Sequence, residues 1–212
     1  EGVLTPYVSP EATGIPEAYI DPEDYWIGFG GRARVCLVNT ELMNTEGYPS
    51  SIYDLLDEKY PADQVAIAYP IFGTTATHVA ALYATLGPEE AAAYFTALKD
   101  REIRVVDGNG VVRDLVADGD IMFGLTDTDD SIGAIERGAP VEMVFLDQGE
   151  DEMGTLLIPN TVAMVKGGPN SEEAEILIDY LLSEATVSEL VEMGWFQLPL
   201  RDLDVDQEYF DA

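Results

Sequence analysis

From about Tyr25 onward, short apolar runs alternate with longer segments whose apolar residues recur every three or four positions. The short runs read as buried strands and the longer segments as amphipathic helices. Tyr25 to Thr40 predicts a strand, a bend marked by Gly28, Gly30 and Gly31, and a second strand over Arg34–Val38. Ser50 or Ser51 caps a short helix through Leu56, and Val65–Ala68 is a short buried strand. Thr74 or Thr75 starts a helix to about Leu86. Pro88, at a first helical position before Glu89 and Glu90, opens another to about Lys99. Ile103–Val106 is a strand, Asn109 caps a helix to Ala117, Ile121–Leu125 is a strand, and Asp129 or Asp130 caps a helix to about Arg137. Strands are expected at Val141–Phe145, Gly154–Ile158 and Thr161–Val165. Asn170 with Glu173 three positions on forms a capping box for a helix to about Ser183, with further helical turns over Val187–Met193. Strands alternating with helices predict an α/β fold with a largely parallel sheet. Residues 1–24, with Pro6, Pro10, Pro16 and Pro22, read as an extended arm. The acidic tail from Asp202 reads as loosely held.

Composition narrows the partners. The chain of 212 residues carries 41 acidic and 10 basic residues, a formal net charge of −31. Phosphate backbones and anionic membranes are recognised by clustered Lys and Arg, so nucleic acid and membrane surfaces are poor partners. The acidic residues are spread along the chain, which fits a solvated surface suited to a salty medium. Cys36 is the one cysteine and lies in the apolar run Val35–Val38, so it reads as a buried, inert thiol. No apolar run approaches the roughly 20 residues that span a bilayer. The start at Glu1 shows no leader pattern, as expected of a processed chain or of a cytoplasmic one.

Enzyme motifs are nearly absent. There is one histidine, His78, and no Gly-x-Ser-x-Gly elbow, His-Glu-x-x-His pair or Walker loop. No enzymatic activity is expected, and His78 reads as a helix-surface or packing residue. Binding chemistry is better represented. Gly73-Thr74-Thr75-Ala76-Thr77 places a glycine and three hydroxyls at a helix start, where open N–H groups and the positive dipole end suit phosphate, carbonate or carboxylate. Arg32 and Arg34 alternate along an extended segment, so both side chains share one face and can clamp an anion. The loop Thr126-Asp127-Thr128-Asp129-Asp130 follows a strand. Capping explains one of its aspartates; the others read as a cation site, since like charges this close repel unless offset.

Several segments, in order, resemble the ferric-iron class of ABC-transporter substrate-binding proteins. They are Gly31-Arg32-Ala33-Arg34-Val35, Pro70 through His78, Val105 through Asn109 with Val112-Arg113, Gly124 through Asp130, and Gly154 through Thr161. The resemblance runs from about Tyr25 to Pro199. It implies a type 2 periplasmic-binding-protein-like α/β fold with one complete lobe plus part of a second. The arm and crossing strand (1–33) belong to the partial first lobe, 34–137 form the complete lobe, and 138–212 return to the first. Such proteins normally carry roughly 70–100 further N-terminal residues, in keeping with a two-domain size. An incomplete lobe leaves apolar surface to be covered, by a second copy of the chain among other routes.

The resemblance also implies a function: the extracytoplasmic component of an ABC importer, periplasmic or tethered outside the cell, that delivers a small ligand to a membrane permease. Iron(III) or another hard cation would be held with carbonate or phosphate between two lobes hinged near Gly28–Gly31 and Val141–Phe145. Asp127, Asp129 and Asp130 would take the cation, and Gly73, Thr74, Thr75 and Asn109 with Arg32 or Arg34 the anion. The chain departs from that pattern in one place: the adjacent tyrosines that usually ligate iron fall on Asp129 and Asp130. The alternatives are a receptor for phosphate, phosphonate or sugar phosphate, and an oligomeric interaction module without transport.

Overall fold

The computed structural model describes residues 2–203; the end of the acidic tail, 204–212, lies outside the described residues. Contacts divide the chain into two compact units, one holding 33–158 and the other the residues before 33 and after 158. The strand Val141–Val144 pairs with Cys36–Asn39 and belongs to the larger unit, which therefore runs past the expected end at Arg137.

The larger unit is built on one sheet. Its strands are β2 (Ile27–Asn39, entering from the smaller unit), β3 (Val65–Ala68), β4 (Arg104–Val106), β5 (Phe123–Asp127) and β6 (Val141–Val144), in the order β4-β3-β5-β2-β6. β3 runs parallel to β4 and β5, whereas β2 is antiparallel to both β5 and β6, so the sheet is mixed. Successive side chains point to opposite faces, and each face has its own core. Cys36, Val38, Val65, Ile67, Phe123 and Leu125 pack with Leu82 of α1 (Gly73–Leu86) and with Tyr94 and Leu98 of α2 (Pro88–Asp100). Leu37, Ala66 and Ala68 pack on the other side with Val112 and Val116 of α3 (Asn109–Ala117) and Ala134 of α4 (Thr128–Glu136). Val35 through Val38 have no exposed surface, which is why they form an unbroken apolar run. Burial also pushes the Cys36 thiol pKa up, in keeping with an inert thiol.

The glycines of β2 do not mark a bend, because the strand is continuous from Ile27 to Asn39. They permit close approach instead. A Cβ on Gly30 would lie 2.2 Å from the Trp195 ring, which stacks on Phe29 at 5.8 Å. Strand β5 starts two residues later than expected and ends on Asp127. The expected pair of strands around Pro159-Asn160 is one strand, β7 (Leu157–Val162), followed by β8 (Met164–Val165).

In the smaller unit the extended N-terminal arm is fastened at several points. Its strand β1 (Leu4–Thr5) pairs with β8, and Ile15 and Ile27 share a core with Met164, Ile178 and Leu182. Tyr7 and Ser9 donate to Asp179 at 2.9 and 2.6 Å on α5 (Ser171–Leu182). Burial and that carboxylate raise the Tyr7 pKa to about 12. Asn170 precedes α5 without a side-chain cap bond, so the capping box does not form. Ser183 does cap α6 (Glu184–Glu192), through the Thr186 N–H. The short strand β9 (Leu198–Pro199) pairs with Gly30 and Gly31. Among the described residues no helix is long and apolar enough to cross a membrane.

Candidate functional site

Because β3, β4 and β5 are parallel, the helices that follow them (α1, α3 and α4) start at the same end of the sheet, where open α/β sheets bind ligands. Their N-cap residues are Phe72, Gly108 and Asp127, one or more positions earlier than capping by Thr74, Asn109 or Asp129 would require. None of the three makes a side-chain cap bond. The hydroxyl and amide side chains just inside these helices are engaged with one another instead.

The centre of that arrangement is Asp127. It lies directly across from Arg34 in the β2–β5 register, and its Oδ1 accepts from Arg34 Nη1 at 2.6 Å. Its Oδ2 accepts from Thr74 Oγ1 at 2.6 Å and from Asn109 Nδ2 at 2.9 Å. Asn109 Nδ2 also reaches Thr74 Oγ1 at 2.8 Å, and Asn109 Oδ1 accepts from Thr75 Oγ1 at 3.1 Å and Arg34 Nη1 at 3.2 Å. The Arg34 and Asp127 side chains are only 1 % and 3 % exposed. A pair this deep is held by its hydrogen bonds and would leave a costly lone charge if either partner were lost. Two further bonds fix the start of α4: Ala33 N–H donates to Thr128 Oγ1 at 3.1 Å, and Ser131 Oγ donates to the Asp127 carbonyl at 3.0 Å.

A second, more open pair stands beside the first. Arg113 Nη1 donates to Asp130 Oδ1 at 3.1 Å, and Thr126 Oγ1 lies 3.3 Å from Asp130 Oδ2. Burial and the neighbouring Asp129 charge raise the Asp130 pKa, with Arg113 opposing them. Carboxylate oxygens of Asp127, Asp129 and Asp130 lie within 4.8 Å of one another. As a cradle for a hard cation the group is poorly matched. Both oxygens of Asp127 already accept hydrogen bonds, Asp130 faces an arginine, and such a cation takes six or more oxygens.

The structure thus brings Arg34, Thr74, Thr75, Asn109 and Asp127 together, with Asp129 and Asp130 in the first turn of α4 and Gly73 as the exposed first residue of α1. Arg32 is placed elsewhere: in the smaller unit it donates to Asn160 Oδ1, whose Nδ2 donates to Gln197 Oε1 at 2.8 Å. Arg113, which pairs with Asp130, is a polar participant that sequence periodicity does not single out. His78 is half-buried on α1 and packs inward, the second of the two roles expected of it. It shares a small cavity with Arg34, and burial, then the Arg34 charge, push its pKa down to about 3.

Residues 1–209 match the family described as bacterial extracellular solute-binding protein. A candidate 2-aminoethylphosphonate-binding periplasmic protein of Salmonella typhi is 27 % identical over 181 residues, covering 83 % of this chain and 52 % of its own. Iron uptake protein A1 of a Synechocystis strain is 26 % identical over 179 residues, covering 81 % and 49 %. This chain spans about half the length of these curated relatives. Iron-bound HitA from Pseudomonas aeruginosa superposes with a TM-score of 0.85 at 21 % identity, over 98 % of this chain and 67 % of that one. The fold is that of the type 2 periplasmic binding proteins, of which this chain spans a part. The chain belongs to the bacterial extracellular solute-binding protein family, a family of binders rather than a class of enzymes.

Proposed function

We propose that this chain is the ligand-recognising part of an ABC-importer solute-binding protein, working outside the cytoplasm and delivering to a membrane permease, and that its ligand is a small organic phosphonate or phosphate. The observation that carries this reading is the internal neutralisation of the carboxylates where three helices start. Asp127 is matched by Arg34 and two further donors, and Asp130 by Arg113. What remains is the positive ends of α1, α3 and α4, which favour an anionic head group. Asp129, partly buried in the first turn of α4, is a third carboxylate at this end of the sheet and suits an amine on the same ligand. The Salmonella typhi relative, named for an aminophosphonate, agrees with that combination.

A second reading keeps the cation. The three aspartates lie within 4.8 Å, and the Synechocystis relative is named for iron uptake. In that case iron or another hard cation is the cargo, with carbonate or phosphate beside it.

Calorimetric titration of the metal-free chain with 2-aminoethylphosphonate and with inorganic phosphate tests the first reading. Asp129→Asn should weaken the aminophosphonate about tenfold, the scale of a lost charge-assisted bond, and leave phosphate unchanged. Equal weakening of both would remove the amine role, and absence of either anion from the bound state would remove the reading.

A further inference from the structure

Arg34 has two sides. Its Nη1 makes all the bonds to Asp127, Thr74 and Asn109, whereas its Nε and Nη2 are buried and have no acceptor among the described residues. A guanidinium carries five N–H donors in a fixed fork, so leaving the three on Nε and Nη2 buried without an acceptor is a costly arrangement. Arg34 also lines a small cavity in the larger unit, walled by Pro70, Thr75, His78, Leu82 and Phe95 among others, with about 20 Å³ of room for the centre of a small molecule. A single water needs about 10–15 Å³ by that measure, together with two to four polar partners.

The polar wall supplies those partners. The Tyr94 hydroxyl is used by the Ile52 carbonyl, and the Thr75 hydroxyl hydrogen by Asn109, which leaves the Thr75 oxygen as an acceptor. His78 has no hydrogen bond among the described residues. Its ring is held neutral by burial and by Arg34, so one of its nitrogens is an acceptor. A water that accepts from the Nε–H and one Nη2–H of Arg34 and donates to His78 and Thr75 gives both open nitrogens a partner. Chloride fits less well, because the Arg34 charge is already matched by Asp127 and a neutral imidazole offers only one donor.

We propose that His78 is a positioning residue for the site: through one buried water it ties the outer edge of the Arg34 guanidinium to α1, and so fixes the arginine that holds Asp127, Thr74 and Asn109 in register. The water and its bonds do not depend on the identity of the ligand; only the affinity consequence rests on the phosphonate reading.

Two variants separate this role from packing. His78→Gln keeps an acceptor, and His78→Phe keeps the ring volume without one. In the ligand-free chain, nitrogen-15 NMR should show the Arg34 Nε–H signal protected from solvent exchange in wild type and His78→Gln. His78→Phe should exchange at least about tenfold faster, the equivalent of roughly one lost hydrogen bond. With 2-aminoethylphosphonate as probe, His78→Phe should bind about fivefold more weakly and His78→Gln close to wild type. Unchanged Arg34 exchange in His78→Phe, equal effects of the two variants, or bromide density in the cavity of crystals grown in bromide would each overturn the proposal. A chain that ignores the phosphonate leaves the NMR comparison intact, so failure of the ligand reading is distinguishable from failure of this one.

Discussion

The larger unit holds two arginine–aspartate pairs within one cluster, and their surroundings differ. Arg34 and Asp127 are sealed, with exposures of 1 % and 3 %, and every oxygen of the carboxylate has a donor. Arg113 and Asp130 keep 24 % and 20 % of their side-chain surface, and Arg113 divides itself between Asp130 and Asp114. The same two residue types therefore do different work. The sealed pair organises the starts of α1, α3 and α4; the open pair stays in contact with water. Coulomb attraction in a dry interior is strong, but so is the penalty for an unmatched charge, whereas water screens the open pair.

Breaking the sealed pair should have the largest effect. Arg34→Met leaves Asp127 buried without its cation and should cost about 3–5 kcal/mol, with Arg34→Met/Asp127→Leu costing less than the sum of the single changes. Amide exchange of the larger unit reads this locally, since both tryptophans lie in the smaller one.

The pH dependence of His78 comes next. Its folded pKa is depressed from 6.5 to about 3, so the unfolded chain binds the proton first as pH falls. Its contribution is fully present above pH 6.5 and is lost toward pH 3, with a limiting slope of about 1.4 kcal/mol per pH unit. Partial solvent access lowers that slope, and His78→Gln should remove it in denaturant titrations run from pH 7 to 4.

The open pair should respond least. Arg113→Ala should change stability by no more than about 1 kcal/mol. Asp130 has a raised pKa, so its contribution is fullest below its unfolded value near 3.8 and is lost as pH rises through the folded value. Asp130→Asn should therefore stabilise the chain slightly at pH 7, and an Asp130→Asn variant clearly less stable than wild type would mean that Arg113 outweighs burial and Asp129.

Much of this cluster was legible in sequence because its residues sit at strand ends and helix starts, where composition speaks. Gly73, Thr74, Thr75, Asn109 and Asp127 announced themselves that way. The sense of their chemistry did not. Asp127 reads as a metal ligand when counted with Asp129 and Asp130, and only the β2–β5 register shows it facing Arg34. Alternation put Arg32 and Arg34 on one face, yet each bonds within a different compact unit. The glycines of β2 looked like a bend because a one-dimensional pattern cannot distinguish a turn from the approach of Trp195, 165 residues away from Gly30 along the chain. His78 was read only as a helix-surface or packing residue; its place beside Arg34 comes from a cavity that five different elements line.

The most direct test of the central claim is thermal denaturation of the metal-stripped chain with 2-aminoethylphosphonate, with phosphate, and with ferric iron plus carbonate. The account predicts that the aminophosphonate stabilises without metal, by about 2.7 kcal/mol at a hundred times its Kd. Stabilisation by ferric iron with carbonate and none by either phosphorus anion would contradict it, and would return the three aspartates to the role of a cation site.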